Sequence, residues 1–209
     1  MIKVLIADDH TIVREGLKQI LADTSDIVAA DEARSGQETL KKVKAAKYDV
    51  VLLDISLPGM SGLDVLKQIK CIQPALPILI LSMYPEEQYA VRTLRAGAAG
   101  YLTKESAPDE LIAAIRKVAK GGKYMTTSLA ERIAVEWDSE DKPPHKLLSD
   151  REYQILCMIG SGRTVKEIAN TLSLSIKTIS THRARILKKM RLKNNAELTH
   201  YAIKQDLVD

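Results

Sequence analysis

The sequence predicts an α/β fold, a doubly wound sheet of five parallel strands, followed by a small all-α domain with a helix-turn-helix. Short apolar runs alternate with helical stretches in the first part of the chain, whereas helical periodicity dominates the last part. The charge also changes, because residues 143–209 carry 12 Lys and Arg against 6 Asp and Glu, and residues 1–142 carry 19 against 21. We predict two domains with different partners, residues 1–122 and 147–209, joined by a linker over 123–146 with one short helix.

The sheet is predicted from five runs rich in Val, Ile and Leu, which are Ile2–Ala7, Ile27–Ala30, Val50–Leu53, Ile78–Leu81 and Gly100–Leu102. Nearly all of their residues are apolar, as expected for parallel strands covered by helices on both faces. The intervening stretches have helical apolar spacing over Ile12–Leu21, Gln37–Ala46, Leu63–Ile72, Gln88–Ala96 and Pro108–Ala119. Because strands and helices alternate, the strands are expected to run parallel.

The region after this domain is predicted to hold a short helix over Ser128–Trp137. A linker follows over Asp138–Lys146, which is charged, contains two prolines and has no apolar periodicity. Ser149 and Glu152 have the spacing of a capping box, in which each side chain binds a free backbone N–H of the other residue. They predict the start of the first helix of the second domain.

The second domain is predicted to contain three more helices. Thr164 is placed to cap the second helix, and Ser175 to cap a third that runs to Met190. A fourth helix is predicted over Asn195–Gln205. We therefore expect a four-helix domain that contains a helix-turn-helix.

The composition is that of a folded protein, with 45% hydrophobic and 28% charged residues. No apolar run is long enough to span a membrane, and the N-terminus becomes acidic too soon for a secretory signal. The two cysteines, Cys71 and Cys157, are far apart and are expected to be ordinary helix residues, without a disulfide or zinc site. These features predict a cytoplasmic protein.

Chemically active side chains stand at the carboxyl ends of the predicted strands, where open parallel sheets bind ligands. Asp8 and Asp9 follow the first strand, Asp54 follows the third, Ser82 the fourth and Lys104 the fifth. Three carboxylates in one cleft repel each other, so we expect a hard divalent cation such as Mg²⁺ between them. A carboxylate beside Mg²⁺ and a lysine is suited to accept a phosphoryl group. Helix capping would explain one such aspartate, but it does not explain the whole set.

The first domain resembles a response-regulator receiver domain in the order and spacing of four motifs, Val4–His10, Asp49–Gly62, Ile80–Ser82 and Gly97–Lys104. The resemblance implies that Asp54 accepts a phosphoryl group from a partner histidine kinase. It also implies a Mg²⁺ site formed by Asp8, Asp9, Asp54 and the main-chain carbonyl of Ser56, with Asp9 as a direct ligand. Ser82 and Tyr101 match the hydroxyl and aromatic switch residues of the family.

The residue after Lys104 departs from the pattern of the family. Many receivers have proline after the lysine, whereas Glu105 follows Lys104 here, and a cis peptide before a non-proline residue costs about 2.5–4 kcal/mol. We therefore question the cis bond at this position, although the charge of Lys104 is unaffected.

His10 adjoins the acidic pair at the start of a helix, and we predict a loop or capping residue rather than a catalytic one.

The second domain contains a strongly basic helix, because residues 175–193 hold seven Lys and Arg and no acid. Its predicted core side consists of Ile179, Ile186, Leu187 and Met190. The opposite face is small and polar at its N-terminal end and cationic towards its C-terminal end, which suits insertion into a DNA major groove. A solvated face of a helix bundle is the alternative that charge alone leaves open.

This domain resembles the LuxR/NarL-type four-helix DNA-binding domain in three stretches, Leu148–Leu156, Val165–Ala169 and Leu174–Met190. The chain is thereby similar to NarL/FixJ response regulators, and Ala98–Leu102 and Glu197–Ala202 resemble the GacA/UvrY branch. The resemblance implies that the fourth helix, around Ala196–Ile203, serves dimerisation. The predicted DNA-binding residues are Thr164, Lys166, Lys177, Thr178, Ser180, Thr181, Ala184, Arg185 and Lys188. The resemblance places the groove-facing positions of the family at Ser180, Thr181 and Ala184. None of these side chains can make the bidentate contact that arginine makes with guanine, so modest base discrimination and substantial phosphate dependence are expected.

These observations predict a two-component response regulator that is not an enzyme. It would bind promoter DNA when phosphorylated by a sensor histidine kinase, and dimerise in that state.

Two alternative functions belong to other classes of protein. A hydrolase with an aspartyl-phosphate intermediate would also use Asp, Mg²⁺ and Lys, but its two aspartates usually lie two residues apart after one strand. A constitutive binding module would not need the complete acidic set with Ser82 and Lys104.

Overall fold

The computed structural model describes residues 1–127, 129–131 and 143–208. The chain forms two compact units, Met1–Glu131 and Arg132–Asp209. The predicted boundaries at residues 122 and 147 are finer than this division and stay predictions. Most of the predicted helix Ser128–Trp137 and of the predicted linker lies outside the described residues.

The first unit contains one parallel sheet with the strand order β2-β1-β3-β4-β5. The strands are β1 (Ile2–Ala7), β2 (Ile27–Ala33), β3 (Val50–Leu53), β4 (Ile78–Ser82) and β5 (Gly100–Thr103). All five predicted strands are confirmed, and so is their parallel arrangement. β2 extends three residues beyond the prediction, because Asp31 and Glu32 continue the strand where the apolar run ends.

Five helices cover the sheet, at bounds within two residues of those predicted. They are α1 (Thr11–Ala22), α2 (Gly36–Ala45), α3 (Gly62–Ile72), α4 (Glu86–Arg95) and α5 (Pro108–Ala119). One face of the sheet packs against α1 and α5 in a core that includes Leu17, Leu21, Leu111 and Ile115. Alternate strand residues such as Leu53 are equally buried, so the sheet is covered on both faces. This architecture leaves the carboxyl ends of the strands as the place for a site.

The second unit is helical in its described part. A 3₁₀ turn at Pro144–Leu147 precedes α6 (Asp150–Gly160), α7 (Val165–Thr171), α8 (Ile176–Met190) and α9 (Asn195–Lys204). The four predicted helices are confirmed. The predicted capping box of Ser149 and Glu152 is present at α6, and α7 has a second one between Thr164 and Glu167.

The two helices of the helix-turn-helix, α7 and α8, are joined by a tight turn. Ser173 in this turn has a positive φ of 52°, in the left-handed region that side chains rarely adopt. Ser175 then caps α8 by accepting a hydrogen bond from the N–H of Thr178. On the inner side of α8, Ile179 and Ile186 are fully buried, which leaves the opposite face to solvent. No helix in the described ranges is long and apolar enough to cross a membrane.

Candidate functional site

The acidic cluster forms because two neighbouring strands end side by side. β1 and β3 are paired with Ala7 opposite Leu53, and the N–H of Asp54 donates to the carbonyl of Ala7 over 2.9 Å. The residues that follow the two strands therefore meet at one edge of the sheet. One ligand atom each of Asp8, Asp9, His10 and Asp54 can be chosen so that all lie within 4.8 Å of one another.

Lys104 enters this cluster from the end of β5. Its Nζ lies 2.6 Å from Oδ2 of Asp8 and 2.9 Å from Oδ2 of Asp54. The three side chains are nearly excluded from water, with exposed fractions of 5% for Lys104 and 2% for each carboxylate. The main-chain N–H of Lys104 donates to the carbonyl of Ser82 over 2.8 Å, which fixes the backbone after β5 against the end of β4.

The electrostatics of the cluster follow from this burial. Burial raises the pKa of the Asp54 carboxyl above its ordinary value, and although Lys104 lowers it, the carboxylate of Asp8 raises it further. Burial alone would lower the pKa of Lys104, but the two carboxylates outweigh it and hold that pKa above its ordinary value. The lysine therefore stays charged, and a further cation would favour full ionisation of Asp54.

The donor set fits a hard divalent cation. Carboxylate oxygens of Asp8, Asp9 and Asp54 converge, and Oδ1 of Asp9 is buried without a hydrogen bond from any described residue. The ring Nδ1 of His10 lies 3.0 Å from that oxygen. A buried carboxylate oxygen without a hydrogen-bond donor is suited to a cation with oxygen ligands. The role predicted for the Ser56 carbonyl stays a prediction, and the Ser56 N–H donates to Oδ1 of Asp54 over 3.1 Å.

His10 occupies the N-cap position of α1, as the sequence predicted, but its side chain does not cap the helix. Its N–H donates to Oδ1 of Asp8 over 2.8 Å, and its Nδ1 lies 3.2 Å from the same oxygen. His10 therefore helps to hold the acidic pair in place. This contact with both aspartates was not predicted.

Arg14 is a second residue that sequence reasoning missed. Its side chain is fully buried, and it donates from Nη1 to the carbonyl of Asp8 and from Nε to Oε2 of Glu32, each over 2.9 Å. The available signal was weak: Arg14 lies three residues before the buried Leu17 on the same face of α1, but arginine is seldom buried.

The predicted switch residues lie next to the cluster. Ser82 is buried at the end of β4, and its Oγ accepts a hydrogen bond from the N–H of Tyr84 over 3.2 Å. Tyr101 is buried as well, and its hydroxyl donates to the carbonyl of Tyr84 over 2.7 Å. Burial raises the pKa of this hydroxyl, so it acts as a neutral donor. The described residues have no cis peptide, so the bond between Lys104 and Glu105 is trans.

The solvent face of α8 carries most of the predicted DNA-binding residues. Exposed residues on α7 and α8 include Thr164, Lys166, Lys177, Ser180, Thr181, Ala184, Arg185 and Lys188. Thr178 is half-buried and its hydroxyl lies 2.8 Å from that of Ser175, within the helix cap. The face therefore combines small side chains near its N-terminal end with cations further along, as the sequence predicted.

Two family models match the two units. Residues 4–116 match the response regulator receiver domain, and residues 146–202 match the bacterial regulatory proteins of the luxR family. Among curated relatives, the response regulator UvrY of Escherichia coli (strain K12) is 38% identical over 99% of this chain and 96% of its own length. The response regulator GacA of Pseudomonas aeruginosa is 36% identical over 100% of this chain and 99% of its own.

Solved structures of the same kind are also similar. The RcsB protein of Salmonella enterica serovar Typhimurium, bound to the promoter rprA with the phosphomimetic BeF₃⁻, is 27% identical with a TM-score of 0.66. The match covers 96% of this chain and 97% of that one. A LuxR-family two-component response regulator from Aurantimonas is 32% identical with a TM-score of 0.61, over 66% of this chain and 99% of its own.

Proposed function

Because this chain belongs to the response regulators that combine a receiver domain with a LuxR-type DNA-binding domain, we propose specific roles for the residues of its two sites. Asp54 accepts a phosphoryl group from a sensor histidine kinase, and α8 binds promoter DNA in response. The observation that carries the first role is the position of the Lys104 ammonium, within 2.9 Å of both Asp8 and Asp54.

In the transfer step, a carboxylate oxygen of Asp54 attacks the phosphorus of the phosphohistidine. A new O–P bond forms as the N–P bond breaks, and the imidazole leaves with the electron pair of the broken bond. This chemistry depends mainly on positioning and charge neutralisation. Lys104 supplies a fixed positive charge, and the hydroxyl of Ser82 stands at the next strand end to donate to a phosphoryl oxygen.

Magnesium is the proposed cofactor, since the converging oxygens and the buried Oδ1 of Asp9 fit a hard cation. The proposed ligands are Asp9, Asp54 and the main-chain carbonyl of Ser56, with Asp8 completing the site. When bound, Mg²⁺ neutralises charge on the phosphoryl oxygens and on the aspartates. His10 and Arg14 hold the chain segment that carries the aspartates.

The response to phosphorylation is proposed to pass through Ser82 and Tyr101. A phosphoryl group adds about −1.5 to −2 charge at the end of β3, which biases the neighbouring loop. Ser82 is drawn towards the group, and this favours the inward position of Tyr101 that the structure already shows, with its hydroxyl bound to the Tyr84 carbonyl. The surface formed by α4, β5 and α5 changes as a result, and this change promotes dimers and DNA binding.

DNA binding is proposed to place α8 in the major groove, as in other helix-turn-helix proteins. Lys166, Lys177, Arg185 and Lys188 contact phosphates, while the small side chains of α8 face the bases. Thr164 and Thr178 are proposed to contact the DNA near the helix caps. α9 is the proposed dimerisation helix, and its Ile203 is an exposed apolar side chain. A DNA partner and a kinase partner both imply a cytoplasmic protein.

Phosphate labelling tests the acceptor assignment. The full chain is incubated with ³²P-labelled acetyl phosphate and Mg²⁺, and Asp54→Ala should lose at least nine-tenths of the acid-stable, alkali-labile label. Asp49→Ala is a matched control just before β3, and it should label like the parent. Labelling of Asp54→Ala at the parental level would overturn the assignment, and turnover of a generic phosphate ester would favour a hydrolase.

Footprinting tests the second role. Genomic fragments are probed with and without phosphodonor, and protection is expected at lower protein concentration when Asp54 is phosphorylated. Affinity should fall steeply with salt, because lysine and arginine contacts release condensed counterions. Equal affinity in both states would instead support a constitutive module.

A further inference from the structure

The first turn of α8 carries an isoleucine, Ile176, that is not among the proposed DNA-binding residues. Ile176 is 55% exposed, although isoleucine is usually buried in folded domains. It is the first residue of α8 and follows the Ser175 cap directly. In helix-turn-helix proteins, residues at this end of the second helix are those that contact base edges.

Ile176 begins a row along the surface of the helix. Residues four apart lie on the same side of an α-helix, so Ile176, Ser180 and Ala184 form one line, and all three are exposed. Lys188 continues the line, and Lys177 stands beside it. The row is therefore uncharged where the helix begins and cationic where it approaches its other end.

The threonine hydroxyl groups near this row are engaged within the helix itself. Thr181 donates its hydroxyl to the carbonyl of Lys177 over 2.9 Å, and the hydroxyl of Thr178 pairs with that of Ser175. Direct hydrogen bonds from these side chains to bases are accordingly limited. Beside Lys177 and the Ser180 hydroxyl, the exposed face over the first nine residues of α8 offers methyl surface to a groove, from Ile176, Thr181 and Ala184.

Thymine is the base that presents a methyl group in the major groove, and apolar side chains recognise it by contact. We propose that Ile176 is a specificity-determining residue that packs against the C5 methyl of a thymine in the recognised sequence. This inference rests on the proposed binding of α8 in the major groove. Burial of one methyl group in such a contact corresponds to about a fourfold change in affinity.

Replacement of thymine by uracil tests the contact, because it removes the methyl and keeps all hydrogen-bonding groups. Duplexes are first selected from a random pool with the phosphorylated full chain, and each thymine of the enriched duplex is then replaced in turn by deoxyuridine. Wild type should lose about fourfold in affinity at one position of each half-site. Ile176→Ala should bind the thymine and uracil duplexes equally well at that position.

A control variant and a second substitution at position 176 make the result specific. Ile72→Ala removes a partly exposed isoleucine of the receiver domain, and it should keep the full thymine-to-uracil effect of wild type. Ile176→Gln is a second variant that also lacks the branched apolar surface, and it should lose the effect as well. Circular dichroism and phosphate labelling report whether each variant is folded.

Two results would overturn the inference, and they can be told apart. If uracil costs the same affinity in wild type and in both Ile176 variants, the methyl contact belongs to another residue, while DNA binding by α8 stands. If selection enriches no duplex, the DNA-binding role of α8 fails, and the role of Ile176 fails with it. A uracil effect at one position that disappears only in the Ile176 variants supports the contact.

Discussion

The guanidinium of Arg14 is fully buried and donates a 2.9 Å hydrogen bond to the main-chain carbonyl of Asp8. The same side chain binds Glu32 on β2, so one residue connects the acidic segment to the edge strand of the sheet. A buried guanidinium can use its donors only where acceptors have been arranged for it. The buried guanidinium of Arg14 thus holds the segment that carries Asp8 and Asp9 in place.

Arg14→Met should lower the free energy of unfolding of the receiver domain by about 2–4 kcal/mol, because it leaves a buried carbonyl and a partly buried carboxylate without a donor. The control is Arg116→Met, in an exposed pair with Asp26 whose side chains are 46% and 45% accessible, which should cost less than about 1 kcal/mol. Urea unfolding followed by circular dichroism measures both. Equal losses would contradict a special role for Arg14.

Gly62→Ala should displace the phosphoryl acceptor. A Cβ on Gly62 would lie 2.1 Å from the carbonyl oxygen of Asp54 and 2.7 Å from Cα of Ile55, and these backbone atoms cannot move without shifting Asp54. We expect at least a tenfold slower phosphorylation by acetyl phosphate and a lower melting temperature.

The control for this substitution is Gly16→Ala in the middle of α1. Apart from the nearby backbone of α1 itself, no atom of a described residue lies within 4 Å of a Cβ at Gly16, and alanine stabilises a helix interior by about 0.5–1 kcal/mol relative to glycine. Gly16→Ala should therefore raise stability and keep the parental phosphorylation rate. Normal phosphorylation of Gly62→Ala would show that the segment around Asp54 adapts more easily than its packing indicates.

Much of the fold and of the acidic site could be predicted from the sequence, because both follow from local pattern. Apolar runs marked the strands, and strand order then brought Asp8, Asp9 and Asp54 to one edge. The end of β2 could not be predicted in this way, since Asp31 is a polar residue. Lys42 neutralises it, with Nζ 2.6 Å from Oδ1 of Asp31, and that contact exists only in the folded domain.

The missed residues share a physical reason. The polarity of the side chain assigns arginine to the surface and isoleucine to the core, whereas Arg14 is buried and Ile176 is exposed. Burial of Arg14 depends on acceptors from Asp8 and Glu32, which are distant in sequence or belong to the main chain. Likewise, the need for glycine at position 62 arises from the approach of the Asp54 backbone, which no local pattern reveals.

Asp9→Ala tests the cation site directly. Removal of a proposed ligand should weaken Mg²⁺ binding by at least about tenfold, which calorimetric titration of the full chain measures. Without Mg²⁺ the variant should be at least as stable as wild type, because it relieves repulsion among three neighbouring carboxylates. Asp23→Ala, at the end of α1, is the control and should bind Mg²⁺ like the parent. A large loss of stability in metal-free Asp9→Ala would contradict this explanation.

The DNA-binding domain should be less stable at pH 5.5 than at pH 7.5 because of His182 on α8. Burial lowers the pKa of His182 below its ordinary value of 6.5, and Arg185 lowers it further. Its Nδ1 is buried without a hydrogen-bond partner among the described residues. As the pH falls through 6.5, the unfolded chain takes up a proton that the folded domain resists. The stability that depends on neutral His182 is therefore fully present above pH 6.5. It is lost as the pH falls from 6.5 through the lower pKa of His182 in the folded domain.

Hydrogen exchange of α8 amides, corrected for the intrinsic effect of pH, measures this loss of stability in the full chain. His182→Gln should reduce the difference in opening free energy between the two pH values, because the replacement does not titrate in this range. His200→Gln, which changes an exposed histidine on α9, is the matched control and should keep the wild-type difference. If the His182 variant kept the full pH dependence and the His200 variant lost it, the assignment to the buried imidazole would be wrong.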